Sequence, residues 1–197
     1  MTGSLLIVSA PSGGGKTSLV KAVLDVEPEV ALSISHTTRP PRPGEVDGQH
    51  YYFVPLPQFE RMLAAGEFLE HAAIYGHRYG TWRTGVEQEL AAGRDVLLEI
   101  DWQGAQQVRR LRPDVVSIFI RPPSLEVLKA RLMNRAQDSA DVIVRRLAAA
   151  EEEISHAGEY NYVIINEDFN WAALDLRSII RAERLKAPRQ LARFTAH

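Results

Sequence analysis

The chain has 197 residues, 45% of them hydrophobic and 24% charged, with a formal net charge of −2 and no cysteine. That apolar content can offset the entropy of ordering the chain, which excludes a wholly disordered protein, and the length fits one domain or two small ones. Lack of cysteine excludes a disulfide framework, a thiolate metal site and a cysteine nucleophile, and the small negative charge gives no long-range pull towards nucleic acid or an anionic membrane.

No nucleic-acid or membrane partner is therefore expected. The amino terminus lacks the charged and long apolar regions of a signal peptide, and no stretch approaches membrane-spanning length, so the cytoplasm is the expected location. Apolar helix faces can pair chains as well as pack inward, which leaves a homo-oligomer open.

Leu5-Leu6-Ile7-Val8 is a short apolar run that predicts a buried strand, and a glycine-rich turn follows at once. Ala10-Pro11-Ser12-Gly13-Gly14-Gly15-Lys16-Thr17 then opens a predicted helix over 16–26. A strand before and a helix after are the context that a phosphate-binding loop requires. The glycines let backbone N–H groups converge on phosphate oxygens, and the helix N-terminus adds its positive end. Lys16 is predicted to reach the β- and γ-phosphates of ATP and Thr17 to offer its hydroxyl to Mg²⁺, with Ser18 in support. The usual first glycine of the motif is Ala10 here, so this position must accept a side chain. The loop names a class, P-loop nucleotide binding, and no acceptor substrate.

Segment 35–85 breaks the strand–helix rhythm with a proline-rich stretch, Arg39-Pro40-Pro41-Arg42-Pro43-Gly44, and most of the tyrosines. It predicts an insertion with its own small sheet, and loops on a rigid scaffold are where ligand-binding residues concentrate. Apolar runs at 96–100, 115–120 and 162–165 predict further parallel strands. Helical patterns over 125–131, 142–155 and 171–186 alternate with them, as in an α/β domain. Glu99 and Asp101 lie two apart where one strand ends, so they share a face and could approach Mg²⁺ through water; Glu99 has no assigned role. The tail after Pro188 is more polar and is expected to fray. The six histidines have no metal-ligand spacing.

The run Ser35-His36-Thr37-Thr38-Arg39-Pro40-Pro41-Arg42-Pro43-Gly44-Glu45-Val46-Asp47-Gly48-Gln49-His50-Tyr51-Tyr52-Phe53 resembles the signature of guanylate kinases, as does Leu98-Glu99-Ile100-Asp101-Trp102-Gln103-Gly104-Ala105. With the phosphate loop, the resemblance covers about residues 5–168. It implies Mg²⁺-assisted, in-line transfer of the γ-phosphoryl group of ATP to GMP, and to dGMP. It further implies a three-layer P-loop α/β fold with a parallel core sheet, an inserted mixed-β GMP-binding segment and a helical lid. The corresponding ranges are a core over 1–34, 86–125 and 151–197, an insertion over 35–85 and a lid over 126–150.

By the same resemblance, Arg39 and Arg42 grip the GMP phosphate, with Tyr51 and Tyr79 donating to it. Planar guanidinium forks that never lose their charge suit that task. Ser35, Glu70, Thr81 and Asp101 read the base. Guanine offers N1–H and N2–H₂ donors that carboxylates accept, whereas adenine would leave buried polar groups unpaired. Arg131, Arg135, Arg145 and Arg146 belong to the lid, and the spacing of Arg135 and Arg146 matches the family's catalytic pair; Ala136 replaces a frequent glycine. Asn166 resembles the residue that contacts adenine. Two other readings are weighed: a guanylate-kinase-like scaffold that binds phosphopeptides without turnover, and a P-loop kinase for another small acceptor. Intact Lys16 and Thr17 speak against the first, and the guanine-reading set against the second.

Overall fold

The computed structural model describes residues 3–134 and 140–194. The chain opens with β1 (Leu5–Ser9), α1 (Lys16–Leu24), β2 (Val30–Ser33), β3 (His36–Thr37) and β4 (Tyr52–Phe53). It continues through α2 (Leu56–Ala64), β5 (Phe68–Ile74), β6 (His77–Trp82), α3 (Arg83–Ala91), β7 (Asp95–Glu99) and α4 (Trp102–Leu111). Then come β8 (Val116–Arg121), α5 (Leu125–Asn134), α6 (Ala140–Ser155), a 3-10 turn (His156–Glu159), β9 (Tyr162–Ile165), α7 (Phe169–Arg184) and α8 (Ala187–Phe194).

The five-stranded sheet has the order β2-β7-β1-β8-β9, and the registers of β2 with β7 and of β8 with β9 are parallel. Its inner strands read as apolar runs because both their faces are covered: Leu5, Leu6, Ile7, Val8, Val96, Leu97 and Leu98 are all buried, whereas on the edge strand β9 only Ile164 is. The four-stranded sheet, β4-β3-β6-β5, is mixed: β3 runs parallel to β4 and antiparallel to β6, and β5 is antiparallel to β6. The expected α/β fold and the small sheet within 35–85 are both present. Among the described residues, no helix is long and apolar enough to cross a membrane.

The chain forms two compact units. One comprises Ile7–Pro28 and the chain from Val116 onward. Here α5 and α6 enclose a small core of Leu128, Leu132 and Ala150, with Leu147 packed against it. Helix α7 starts at Asp168, whose carboxylate accepts from the Asn170 and Trp171 amides at 2.9 Å and so satisfies two of the helix's orphan donors. The other unit comprises the chain up to Leu6 and Glu29–Val115. Phe59 stacks on Phe68 at 4.5 Å between ring centroids, and His36 meets Phe68 at 5.8 Å and Tyr52 at 4.8 Å.

Where sequence and structure differ, the cause is local. The expected frayed tail forms α8, because Pro188 falls in the first turn, where a helix needs no proline N–H. Helix α7 begins at Phe169 and ends at Arg184, two residues earlier at each end than the pattern over 171–186.

In the first unit, Glu27 is 5% exposed yet charged. Its carboxylate accepts from Arg177 Nε at 2.6 Å and from Arg184 NH1 at 2.7 Å, which ties the end of α1 to α7. The Arg177 hydrogen bond chiefly holds its pKa below the usual carboxylate value, against burial, which acts the other way. A depressed pKa stabilises the fold above the unfolded-state value, and this contribution disappears as pH falls through the folded-state value. Glu27→Gln should therefore lower stability at neutral pH by about 1–3 kcal/mol. In denaturant titrations, the gap between the two proteins should close as pH drops below about 4.

Candidate active site

The five buried residues of β1 deliver the chain into the glycine loop of the first unit. Gly13 and Gly15 have φ of 87° and 95°, left-handed values that side chains resist, and Gly15 is the residue from which α1 starts. The Gly14 amide donates to Pro11 O at 2.8 Å, closing the turn. Lys16 and Thr17 begin the helix, Lys16 half-buried and Thr17 and Ser18 exposed. Ala10 fits because its methyl group lies against a glycine: a Cβ on Gly14 would stand 3.2 Å from Ala10 Cβ.

Buried Asn166, just past β9, reaches this loop, and its Nδ2 donates to Gly14 O at 2.9 Å. A Cβ on Gly15 would come within 2.4 Å of that nitrogen, so only glycine permits the approach. Arg131, on α5, donates from NH2 to Asn166 O at 3.1 Å. The amide expected at adenine is thus engaged with the loop backbone. Arg146 is half-buried on α6. Arg135 and the Arg145 side chain lie outside the described residues.

In the second unit, the end of β3 is pinned to β6: Thr37 Oγ1 donates to Arg78 O at 3.0 Å and accepts from the Arg39 amide at 3.1 Å. This points Arg39, 8% exposed, into a polar and aromatic cluster. Its NH1 donates to Pro40 O and its NH2 to Glu45 Oε1, both at 2.8 Å. The guanidinium carbon lies 5.4 Å from the Tyr51 ring centroid and 5.8 Å from that of Phe53, in cation–π range. Tyr51 meets Tyr79 edge-on at 5.9 Å, and Tyr79 also hydrogen-bonds Arg39.

The charges act on one another as this geometry requires. The hydrogen bond from Arg39 pulls the Glu45 pKa down, while burial opposes it. Glu45 in turn raises that of Arg39. Burial pushes the Tyr51 phenol up, and Glu99 adds to this. Tyr51 therefore stays a neutral hydrogen-bond donor at physiological pH. Arg42 is exposed, and its amide donates to Glu45 Oε2 at 2.7 Å.

A second group of predicted residues meets where β5, β6 and α4 converge. Glu70 and Thr81 face each other across β5 and β6, both buried, and Thr81 Oγ1 donates to Glu70 Oε1 at 2.5 Å. Asp101 caps α4 by accepting from the Gly104 amide at 2.9 Å. Gly104 in turn underlies Glu70, since a Cβ there would stand 2.4 Å from Glu70 Oε2. Gln107 fastens α4 to β5 by donating to His71 O at 2.7 Å and accepting from the His71 amide at 3.1 Å. Ser35 is half-buried, and its carbonyl accepts from the Tyr52 amide at 2.9 Å.

Two groups in this unit carried no role from sequence. Glu45 occurs in the quoted motif, six residues after Arg39, a spacing too long for helical pairing and legible only in the folded loop. Glu99, whose role was open, bears electrostatically on Tyr51. Among the described residues, no group of three or more His, Asp or Glu side chains is placed to hold a metal ion.

The first unit thus holds a glycine-rich strand-to-helix turn, and the second a buried guanidinium among phenols and a buried carboxylate beside a hydroxyl. The family model described as guanylate kinase matches residues 2–183. A guanylate kinase of Thiobacillus denitrificans is 59% identical over 98% of this chain and 93% of its own length. One from Escherichia coli (strain K12) is 54% identical over 98% and 95%. The solved structure of guanylate kinase from Anaplasma phagocytophilum superposes with a TM-score of 0.81 at 39% identity, covering 95% of this chain and 89% of that one. The chain belongs to the guanylate kinase family.

Proposed function

We propose that this chain transfers the γ-phosphoryl group of ATP to GMP, giving ADP and GDP, with dGMP as a further acceptor. The observation that supports the reading is the buried Glu70–Thr81 pair over Gly104, a fixed carboxylate of the kind that accepts from guanine's N–H edge. A single hydroxyl has one proton, and Thr81 gives it to Glu70. In this arrangement Thr81 fixes Glu70, donation to guanine O6 falls to Ser35, and Asp101 accepts from the N2 amino group.

The donor and acceptor phosphates have separate holders in this reading. Lys16 and backbone N–H groups of the glycine loop bind the ATP phosphates, and Asn166 keeps that loop in shape. Arg39, Arg42, Tyr51 and Tyr79 bind the GMP phosphate. A GMP phosphate oxygen attacks the γ-phosphorus, the bond from the γ-phosphorus to the bridging oxygen breaks, and ADP departs with that oxygen. Negative charge spreads over the oxygens in flight, so fixed cations aimed at them accelerate transfer. Lys16 is one such cation, and Arg135 and Arg146 are assigned as others, carried by a lid over 126–150. Residues 35–85 act as the GMP-binding segment, and the remainder as the core. Exclusion of water during transfer would keep it from taking the phosphoryl group.

Mg²⁺ fits the donor set, because this ion keeps most of its waters and takes few protein ligands beside phosphate oxygens; the Thr17 hydroxyl would serve as one. When bound, it neutralises charge on the β- and γ-phosphates. The reaction draws on cytoplasmic metabolites, and the cytoplasm is the proposed location.

With ATP and Mg²⁺, ADP release should occur with GMP and fall by about 10³-fold or more with AMP, CMP or UMP. Turnover spread evenly over the four would remove the base-reading assignment. Glu70→Gln turns an amide donor towards guanine's donors, so KM for GMP should rise by about 10- to 100-fold with KM for ATP unchanged. Gly104→Ala tests the same carboxylate from behind. Alanine favours a helix by about 0.5–1 kcal/mol over glycine, so a raised GMP KM without a matching loss of thermal stability would trace to displaced Glu70. Unchanged GMP kinetics in both variants would take Glu70 out of the site.

A further inference from the structure

The least expected neighbour of a phosphate-binding arginine is an anion, yet Glu45 lies directly against Arg39. Its two oxygens are divided: Oε1 accepts from the Arg39 side chain at 2.8 Å, and Oε2 accepts from the Arg42 backbone amide at 2.7 Å. The Glu45 amide returns a hydrogen bond to Arg42 O at 3.0 Å, closing a turn through Gly44, whose φ is 85°. Neither partner is loose, for the side chains of Arg39 and Glu45 are only 10% and 16% exposed.

Resting on the reading of Arg39 and Arg42 as the acceptor-phosphate ligands, we propose that Glu45 is a positioning residue that sets both of them before GMP arrives. The Arg39 fork has five N–H donors. Pro40 O takes one from NH1 and Glu45 one from NH2, while the Tyr51 and Phe53 rings fix the plane and Tyr79 bonds the same group. The remaining donors are held in one orientation, aimed before the ligand binds. For Arg42 the carboxylate works through the backbone, fixing the turn from which the exposed side chain projects.

Two opposed effects decide the outcome. Glu45 repels an incoming phosphate, which would weaken binding. It also spares that phosphate the task of freezing a long side chain and a flexible turn, and full rotamer freedom of an arginine corresponds to about 30-fold in affinity. With the Glu45 charge already shared between a guanidinium and an amide, the second effect exceeds the first.

The test is GMP binding by calorimetry, together with steady-state kinetics, on the full chain carrying Glu45→Ala, Glu45→Gln, Glu45→Asp or Arg39→Ala. Glu45→Ala should weaken GMP binding by about 10- to 30-fold and raise KM for GMP in step, leaving ATP affinity within twofold. Glu45→Gln keeps an acceptor for one partner and should fall between Glu45→Ala and wild type. Glu45→Asp, which keeps the charge, should recover part of the loss. Unchanged or tighter GMP binding in Glu45→Ala would overturn the proposal, since the carboxylate would then only compete with phosphate. Equal losses for ATP and GMP would overturn it too, by marking a general defect in folding. If Glu45→Ala does not fold, Glu45→Gln decides the matter: weaker GMP binding than wild type with ATP affinity kept supports the proposal, and unchanged or tighter GMP binding overturns it. Arg39→Ala separates the two layers: normal GMP affinity there defeats the acceptor-site reading itself, whereas a strong loss there with none at Glu45 defeats only this inference.

Discussion

A strand of buried apolar residues cannot turn directly into a helix without a break in ordinary backbone geometry, and here that break falls at Gly13 and Gly15. Their left-handed conformations let β1 stop and α1 start within a few residues, so that the positive end of the helix opens at the loop. A helix N-terminus of this kind suits a polyphosphate. The requirement for glycine has a second source, because Asn166 presses on Gly15 so closely that even one methyl group would collide. The loop is thereby shaped from both sides, by its own backbone and by the end of β9.

The unit that holds Arg39 works by a different physical device, restraint of charge by charge. With a net charge of −2, the chain has no broad positive field with which to draw in phosphates. Arg39 is instead buried, boxed by two aromatic rings and held by Glu45. Glu70 shows the converse, a carboxylate kept in the interior by the Thr81 hydroxyl. A buried charge without such partners would be strongly unfavourable.

Much of this was legible in the sequence, for reasons that are local. The apolar runs at 5–8, 96–100 and 115–120 mark strands because burial on both faces demands unbroken apolar residues, whereas 162–165 forms the edge strand β9, in which only Ile164 is buried. Gly-Lys-Thr after the first run marks the loop. Illegible were the features set by contacts far apart along the chain. Nothing near Glu27 indicates that Arg177 and Arg184 will enclose it, and nothing near Asn166 indicates that its amide meets Gly14. Polar composition after Pro188 suggested a loose tail, but proline in a first turn is compatible with a helix. Glu45 stood within the motif, yet its partner depends on how the loop closes.

The hydrogen bond from Asn166 to Gly14 spans 152 positions. A ribosome makes the amino terminus first, so the glycine loop emerges long before the strand end that holds it. Until β9 docks, the nascent loop lacks one of its two supports, and contacts of such separation form late because loop closure must precede them. The loop is thus made long before the residue that helps to hold it, and is late to reach its final shape. A premature stop before residue 166 would leave a phosphate loop complete in sequence and without its brace.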